Sequence, residues 1–128
     1  MKKLTLYIID DEVEVVNALT VALKPNKRFS IRGFSSAEQV RAALDANPPQ
    51  LAICDYNMPD CDGLELLREL KGRFPRLRSV LLTGQGFSPE VVEGLEQGLF
   101  EQYVSKPYKI AELEETLLKL ARQAAKAQ

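Results

Sequence analysis

The run Leu51-Ala52-Ile53-Cys54-Asp55 constrains this chain more than any other stretch. Four consecutive apolar residues leave no face for water, so they read as a strand covered on both sides, as in parallel sheets flanked by helices. The run ends on a carboxylate and then on turn-forming residues up to Asn57-Met58-Pro59-Asp60, which stop the strand and leave Asp55 at its open end. A buried strand has no structural use for an Asp there beyond capping the next turn. Other apolar runs end in the same way: Leu4-Thr5-Leu6-Tyr7-Ile8-Ile9 in Asp10 and Asp11, Ser79-Val80-Leu81-Leu82 in Thr83, and Tyr103-Val104-Ser105 in Lys106.

Between these runs the apolar period changes from strand-like to helical. Val13, Val16, Leu19, Thr20 and Leu23 share one helical face until Lys24-Pro25-Asn26 stops the helix. Phe29 to Phe34 alternates apolar and polar side chains, the pattern of an edge strand with one face in water. Ser36 and Gln39 form a capping-box start for a helix from Ala37 to Ala46, ended by Asn47-Pro48-Pro49. Asp62, with Glu65 three residues on, caps a helix that turns Leu64, Leu67 and Leu70 to the core and ends at Gly72 and Pro75. Ser88-Pro89-Glu90 opens a short helix over Val91 to Gln97, expected to be loosely held because its apolar stripe is thin and Gly94 lies inside it. A last strand, Gln102 to Ser105, leads through Lys106-Pro107 into an amphipathic helix with Ile110, Leu113, Leu117 and Leu120 on one face, which runs out into the polar, Ala-rich stretch 123–128.

Five strands alternating with five helices predict one α/β domain, a doubly wound parallel sheet with helices on both faces. Its 128 residues, 45% of them hydrophobic, suffice for a single core. The site of such a sheet lies beyond the carboxyl ends of the strands, where strand order reverses. Asp10, Asp11, Asp55, Thr83 and Lys106 all fall at that edge. A net charge of -1 gives no general drive toward nucleic acid or anionic membrane, so direct nucleic-acid binding is not expected. The first apolar run is too short for a signal peptide or a membrane span, and the two cysteines fit no metal spacing. A cytoplasmic protein with free thiols is expected.

In these residues the chain resembles a response regulator receiver domain from end to end. The resemblance rests on Asp10-Asp11, on Asp55 followed by Asn57-Met58-Pro59 and Asp62-Gly63, on Thr83-Gly84, on Tyr103, and on Lys106-Pro107. It implies a flavodoxin-like sheet of order 2-1-3-4-5, a receiver over residues 1–122, and a helix extension or linker over 123–128. It also implies that Asp55 accepts a phosphoryl group from a phosphohistidine on a histidine kinase or phosphotransfer protein. Asp11, Asp55 and the Asn57 carbonyl would ligate Mg²⁺ (or Mn²⁺), with Asp10 a ligand through water; Asp10 and Asp11 could trade roles. Lys106 and Thr83 would contact the phosphoryl oxygens, Thr83 and Tyr103 would form the switch, and the face of helix four, strand five and helix five would meet an output domain or a second copy. The Lys106-Pro107 bond is often cis in the family.

Elementary electrostatics points the same way. Carboxylates gathered at one edge repel by on the order of 4 kcal/mol per pair at about 4 Å and an effective dielectric of about 20, so the cluster calls for a proton or a hard cation. A phosphatase of the haloacid-dehalogenase type would need a second carboxyl two residues after Asp55, where this chain has Asn57. A calcium loop from Asp55 would need a closing Glu where Leu66 stands. The remaining alternative is a receiver-like interaction module that works without phosphorylation.

Overall fold

The computed structural model describes residues 3–84 and 88–126; Met1, Lys2 and the predicted tail's last two residues, 127 and 128, lie outside them, as does 85–87. Ten elements alternate: β1 (Leu4–Ile9), α1 (Val13–Leu23), β2 (Phe29–Phe34), α2 (Ala37–Ala43), β3 (Leu51–Asp55), α3 (Gly63–Arg73), β4 (Arg78–Thr83), α4 (Pro89–Glu96), β5 (Gln102–Ser105) and α5 (Ile110–Lys126). All neighbouring strands pair parallel, in the order β2-β1-β3-β4-β5. β3 lies at the centre and is buried along its whole length. Its side chains alternate between two cores: Ala52 and Cys54 pack with residues of α2, α3 and α4, and Leu51 and Ile53 with residues of α1 and α5.

Several local expectations are corrected by packing. Val13 is 52% exposed, and α1 meets the core through Val16, Leu19 and Leu23. β2 uses both faces: Phe29 belongs to the α1 and α5 core, while Phe34 turns to the other side, its ring centroid 4.6 Å from that of Tyr7. α2 ends at Ala43, with only a turn over 44–46. At its start Ser36 Oγ accepts the Gln39 N–H at 3.2 Å, but the Gln39 side chain reaches back to the Ser35 N–H (2.8 Å) rather than to that of Ser36. Asp62 caps α3 by accepting the Leu64 N–H at 2.7 Å, whereas Glu65 pairs with Arg68. α3 runs past Gly72 to Arg73 and stops at Phe74, which is held out of the helical region ahead of Pro75.

α4 is better seated than its thin stripe implies. Val91 is fully buried, and a side chain on Gly94 would come within 3.0 Å of the Phe100 ring and 3.1 Å of Leu64. The glycine therefore lets α4 approach α3 closely, which compensates for its poor helix propensity. α5 is continuous from Ile110 to Lys126, so the predicted boundary after residue 122 falls within it. Leu113, Leu117, Leu120, Ala121 and Ala124 are buried, while Ile110 is exposed. Away from the strand ends, Lys71 on α3 reaches Glu101 at 2.8 Å, and Glu101 also accepts the Ser79 N–H (2.8 Å), tying α3 and β4 to the entry of β5.

Candidate functional site

Strand order reverses between β1 and β3, because the chain places β2 on one side of β1 and β3 on the other. Ile9 pairs with Cys54, so Asp10 and Asp55 emerge side by side one residue later. Both are buried. Oxygens of Asp10, Asp11 and Asp55 all lie within 4.8 Å of one another. Thr83, also buried, ends β4 one register step beyond Asp55, and its carbonyl accepts the Lys106 N–H at 2.9 Å. That bond sets Lys106 at the same edge, where its Nζ lies 2.6 Å from Asp55 Oδ1. The Lys106-Pro107 peptide is cis.

The charge balance here is uneven. One oxygen of Asp10 accepts the Glu12 N–H at 2.9 Å; the other, Oδ2, is buried without a hydrogen-bond partner among the described residues. Burial pushes the Asp10 carboxyl up to about 6, helped by the charge of Asp55 and opposed by the Glu12 N–H. Burial also works against the charge of Lys106, but the hydrogen bond and negative charge of Asp55 outweigh it and hold the ammonium above its ordinary range. An orphaned carboxylate oxygen beside two further carboxylates, all hard donors, fits a small divalent cation such as Mg²⁺. Asp11 and Asn57 line one shallow cavity of about 400 Å³ with Tyr56, Met58, Pro59 and Asp62, so the β3–α3 loop stands next to the acid cluster.

The loop itself is braced by groups to which the sequence assigned no part in holding it. Asp60 accepts the Ala37 N–H at 3.0 Å, fastening the loop to the start of α2. Gly63 opens α3 directly under the acceptor strand: a Cβ there would overlap the Asp55 carbonyl oxygen and lie 2.9 Å from Tyr56 Cα. The Gly63 N–H donates to the Tyr56 carbonyl at 2.9 Å, and the Tyr56 N–H to that of Leu82 at 2.9 Å. Tyr108 is half-buried beside the cluster, its phenol pushed up by burial and by the charge of Asp10. Its place just after Lys106-Pro107 was the available signal. Tyr103 is partly buried against the α2–α4 core, across from Leu81. Both cysteines are free, and burial pushes the Cys54 thiol far up, so it is inert.

A parallel 2-1-3-4-5 sheet with three carboxylates, a threonine and a lysine at its switch point defines the class of flavodoxin-like signalling domains. Residues 6–118 match the response regulator receiver domain family. The chain belongs to that family, as a receiver domain of the two-component response regulators. It is 31% identical over 127 residues to the hydrogenase transcriptional regulatory protein HoxA of Cupriavidus necator, an alignment covering 99% of this chain and 25% of that protein. It is 32% identical over 109 residues to the transcriptional regulatory protein CssR of Bacillus subtilis, covering 85% of this chain and 47% of that one. The chain thus spans a quarter to a half of these relatives. Among solved structures, the CheY-like receiver domain protein from Methanospirillum hungatei JF-1 superposes with a TM-score of 0.89 at 21% identity, covering 100% of both chains. The BeF3-activated DrrB receiver domain gives 0.82 at 22%, covering 94% of this chain and 98% of that one. At such identities the likeness concerns the fold.

Proposed function

We propose that Asp55 is the phosphoacceptor of a two-component system, taking its phosphoryl group from a phosphohistidine of a histidine kinase or phosphotransfer protein in the cytoplasm. These 128 residues contain no histidine, so the phosphohistidine lies outside them. The observation that carries this reading is the Asp55 carboxylate itself, held 2.6 Å from the Lys106 ammonium with two further carboxylates in reach. An Asp55 oxygen attacks phosphorus, the P–N bond of the phosphohistidine breaks, and the leaving imidazole keeps the electron pair and takes up a proton. The product is an acyl phosphate, which water can later cleave.

Phosphoryl transfer asks the protein mainly for positioning and for positive charge on the transferred oxygens. Lys106 is already aimed at the acceptor and can follow charge from the carboxylate to the phosphoryl oxygens. The Thr83 hydroxyl, at the end of the next strand, can donate to one of those oxygens. Mg²⁺ or Mn²⁺, when held by Asp10, Asp11, Asp55 and the Asn57 carbonyl, would supply further positive charge there. The output surface in this reading is the α4–β5–α5 face, which presents Val92, Leu95 and Ile110 to solvent and would meet an output domain or a second copy.

Incubation with acetyl phosphate and Mg²⁺ should add one alkali-labile phosphoryl group per chain, seen by intact mass. Asp55→Asn should take up none, and chelation should suppress labelling of the wild type. Equal labelling of Asp55→Asn would overturn the assignment, and no labelling of a folded wild type by either acetyl phosphate or a kinase would leave the interaction-module reading in its place.

A further inference from the structure

A second cavity, of about 640 Å³, opens at the opposite edge of the sheet, at the amino-terminal ends of β1, β3 and β4. Four residues of β3 lie between Gln50 at the cavity and Asp55 in the acid cluster, a span of about 16 Å at about 3.3 Å per residue. Its walls are apolar and conformationally stiff: Pro48, Pro49, Phe74 and Leu77 contribute, with Pro49 and Leu77 buried. Its floor is rigid because Gln50 bonds both neighbouring strands. The Gln50 N–H donates to Thr5 O (3.0 Å), its side-chain oxygen accepts the Thr5 N–H (2.9 Å), and its carbonyl accepts the Arg78 N–H (3.2 Å).

The charge around this cavity is one-sided. Among the described residues that line it, Lys3, Arg73 and Arg76 are basic and none is acidic, in a chain whose net charge is -1. Arg73 is engaged, pairing with Asp45 and lying 5.3 Å over the Phe74 ring. Lys3 and Arg76 have no ion-pair partner among the described residues. A preformed apolar cavity of this size, with a few cationic groups on its rim, has the features of a small-molecule site. We infer that it binds a small amphipathic anion, an aromatic or short aliphatic acid whose apolar body lies between Pro49, Phe74 and Leu77 and whose acid group meets Lys3 and Arg76.

Anilinonaphthalene sulfonate is a suitable probe, with uncharged N-phenylnaphthylamine as its control. On the full chain, the sulfonate should bind saturably and shift the amide resonances of residues 46–50 and 73–77, and the neutral dye should bind about tenfold more weakly. Lys3→Glu with Arg76→Glu should weaken sulfonate binding by about tenfold or more while leaving acetyl phosphate labelling and the neutral dye unchanged. Ala46→Trp, at an exposed wall position, should block both dyes. Shifts confined to other residues, equal affinity for the two dyes, or sulfonate binding indifferent to the double reversal would each overturn the inference.

Discussion

Asp10 bears the largest electrostatic cost in the site. Its carboxyl, normally near 3.8, is raised to about 6 by burial, so the folded chain holds a proton in this window that the unfolded chain has released. By linkage, stability from this group is fully present below about pH 4 and is lost as pH rises through about 6. In chelator, Asp10→Asn should therefore exceed the wild type in thermal midpoint by a margin that grows between about pH 4 and pH 7 and then levels off. A margin independent of pH would show that the Asp10 charge is not what the fold works against. Added Mg²⁺ should raise the wild-type midpoint and narrow the gap, because an ion bound only by the folded state stabilises it by mass action. The same residue shows how little a sequence says about single charges. Asp10 and Asp11 are neighbours at a strand end and look interchangeable, yet it is the Asp10 carboxylate that keeps a buried oxygen with no hydrogen-bond partner among the described residues.

At the scale of elements, glycines decide how closely helices approach the strands that carry the site. Gly63 lets the start of α3 pass beneath the Asp55 carbonyl, whereas Gly72, in the last turn of the same helix, would meet nothing within 4 Å if it bore a side chain. The two should respond oppositely to the same substitution. Gly63→Ala forces backbone apart under the acceptor and should cost about 1–3 kcal/mol, with slower acetyl phosphate labelling. Gly72→Ala should stabilise by about 0.5–1 kcal/mol and leave labelling unchanged. Urea unfolding midpoints with labelling rates check both, and similar effects at the two positions would contradict the close-approach account. Composition alone makes every helical glycine a weakness, and that expectation misjudged α4, where Gly94 is a packing contact.

Across the whole molecule, the site and the α4–β5–α5 face are joined through the ends of β4 and β5. Thr83 carries the hydroxyl that would turn toward a phosphoryl group, its carbonyl holds the backbone of Lys106, and Tyr103 lies on β5 three residues before that lysine. Movement of Thr83 would free space into which the half-buried Tyr103 could turn, gaining apolar burial worth about 1 kcal/mol. Beryllofluoride with Mg²⁺ should therefore shift amide resonances from Asp55 into β4, α4 and β5, and Thr83→Ala or Tyr103→Ala should confine the response to the pocket. A wild-type pattern in both variants would refute this coupling.

The sequence alone determined the element order, the buried central strand and the polar strand ends, because strand and helix periodicities and turn chemistry are local and each run of residues carries its own signal. β5, α3 and α4 were legible to within two or three residues. The strand order was legible only through likeness to a family, since spacing along a chain does not specify which strands become neighbours, and the roles proposed for Asp55, Asn57, Thr83, Tyr103 and Lys106 lean on the same likeness. Tertiary structure decided the rest. The 2.6 Å contact of Lys106 with Asp55 joins residues 51 positions apart, and the Lys71–Glu101 tie joins residues 30 apart. The orphaned Asp10 oxygen and the basic cavity at the far edge depend in the same way on which groups the packed sheet places side by side. Burial, unmet hydrogen bonds and the resulting pKa shifts are properties of those juxtapositions, so they exist only once the chain has folded.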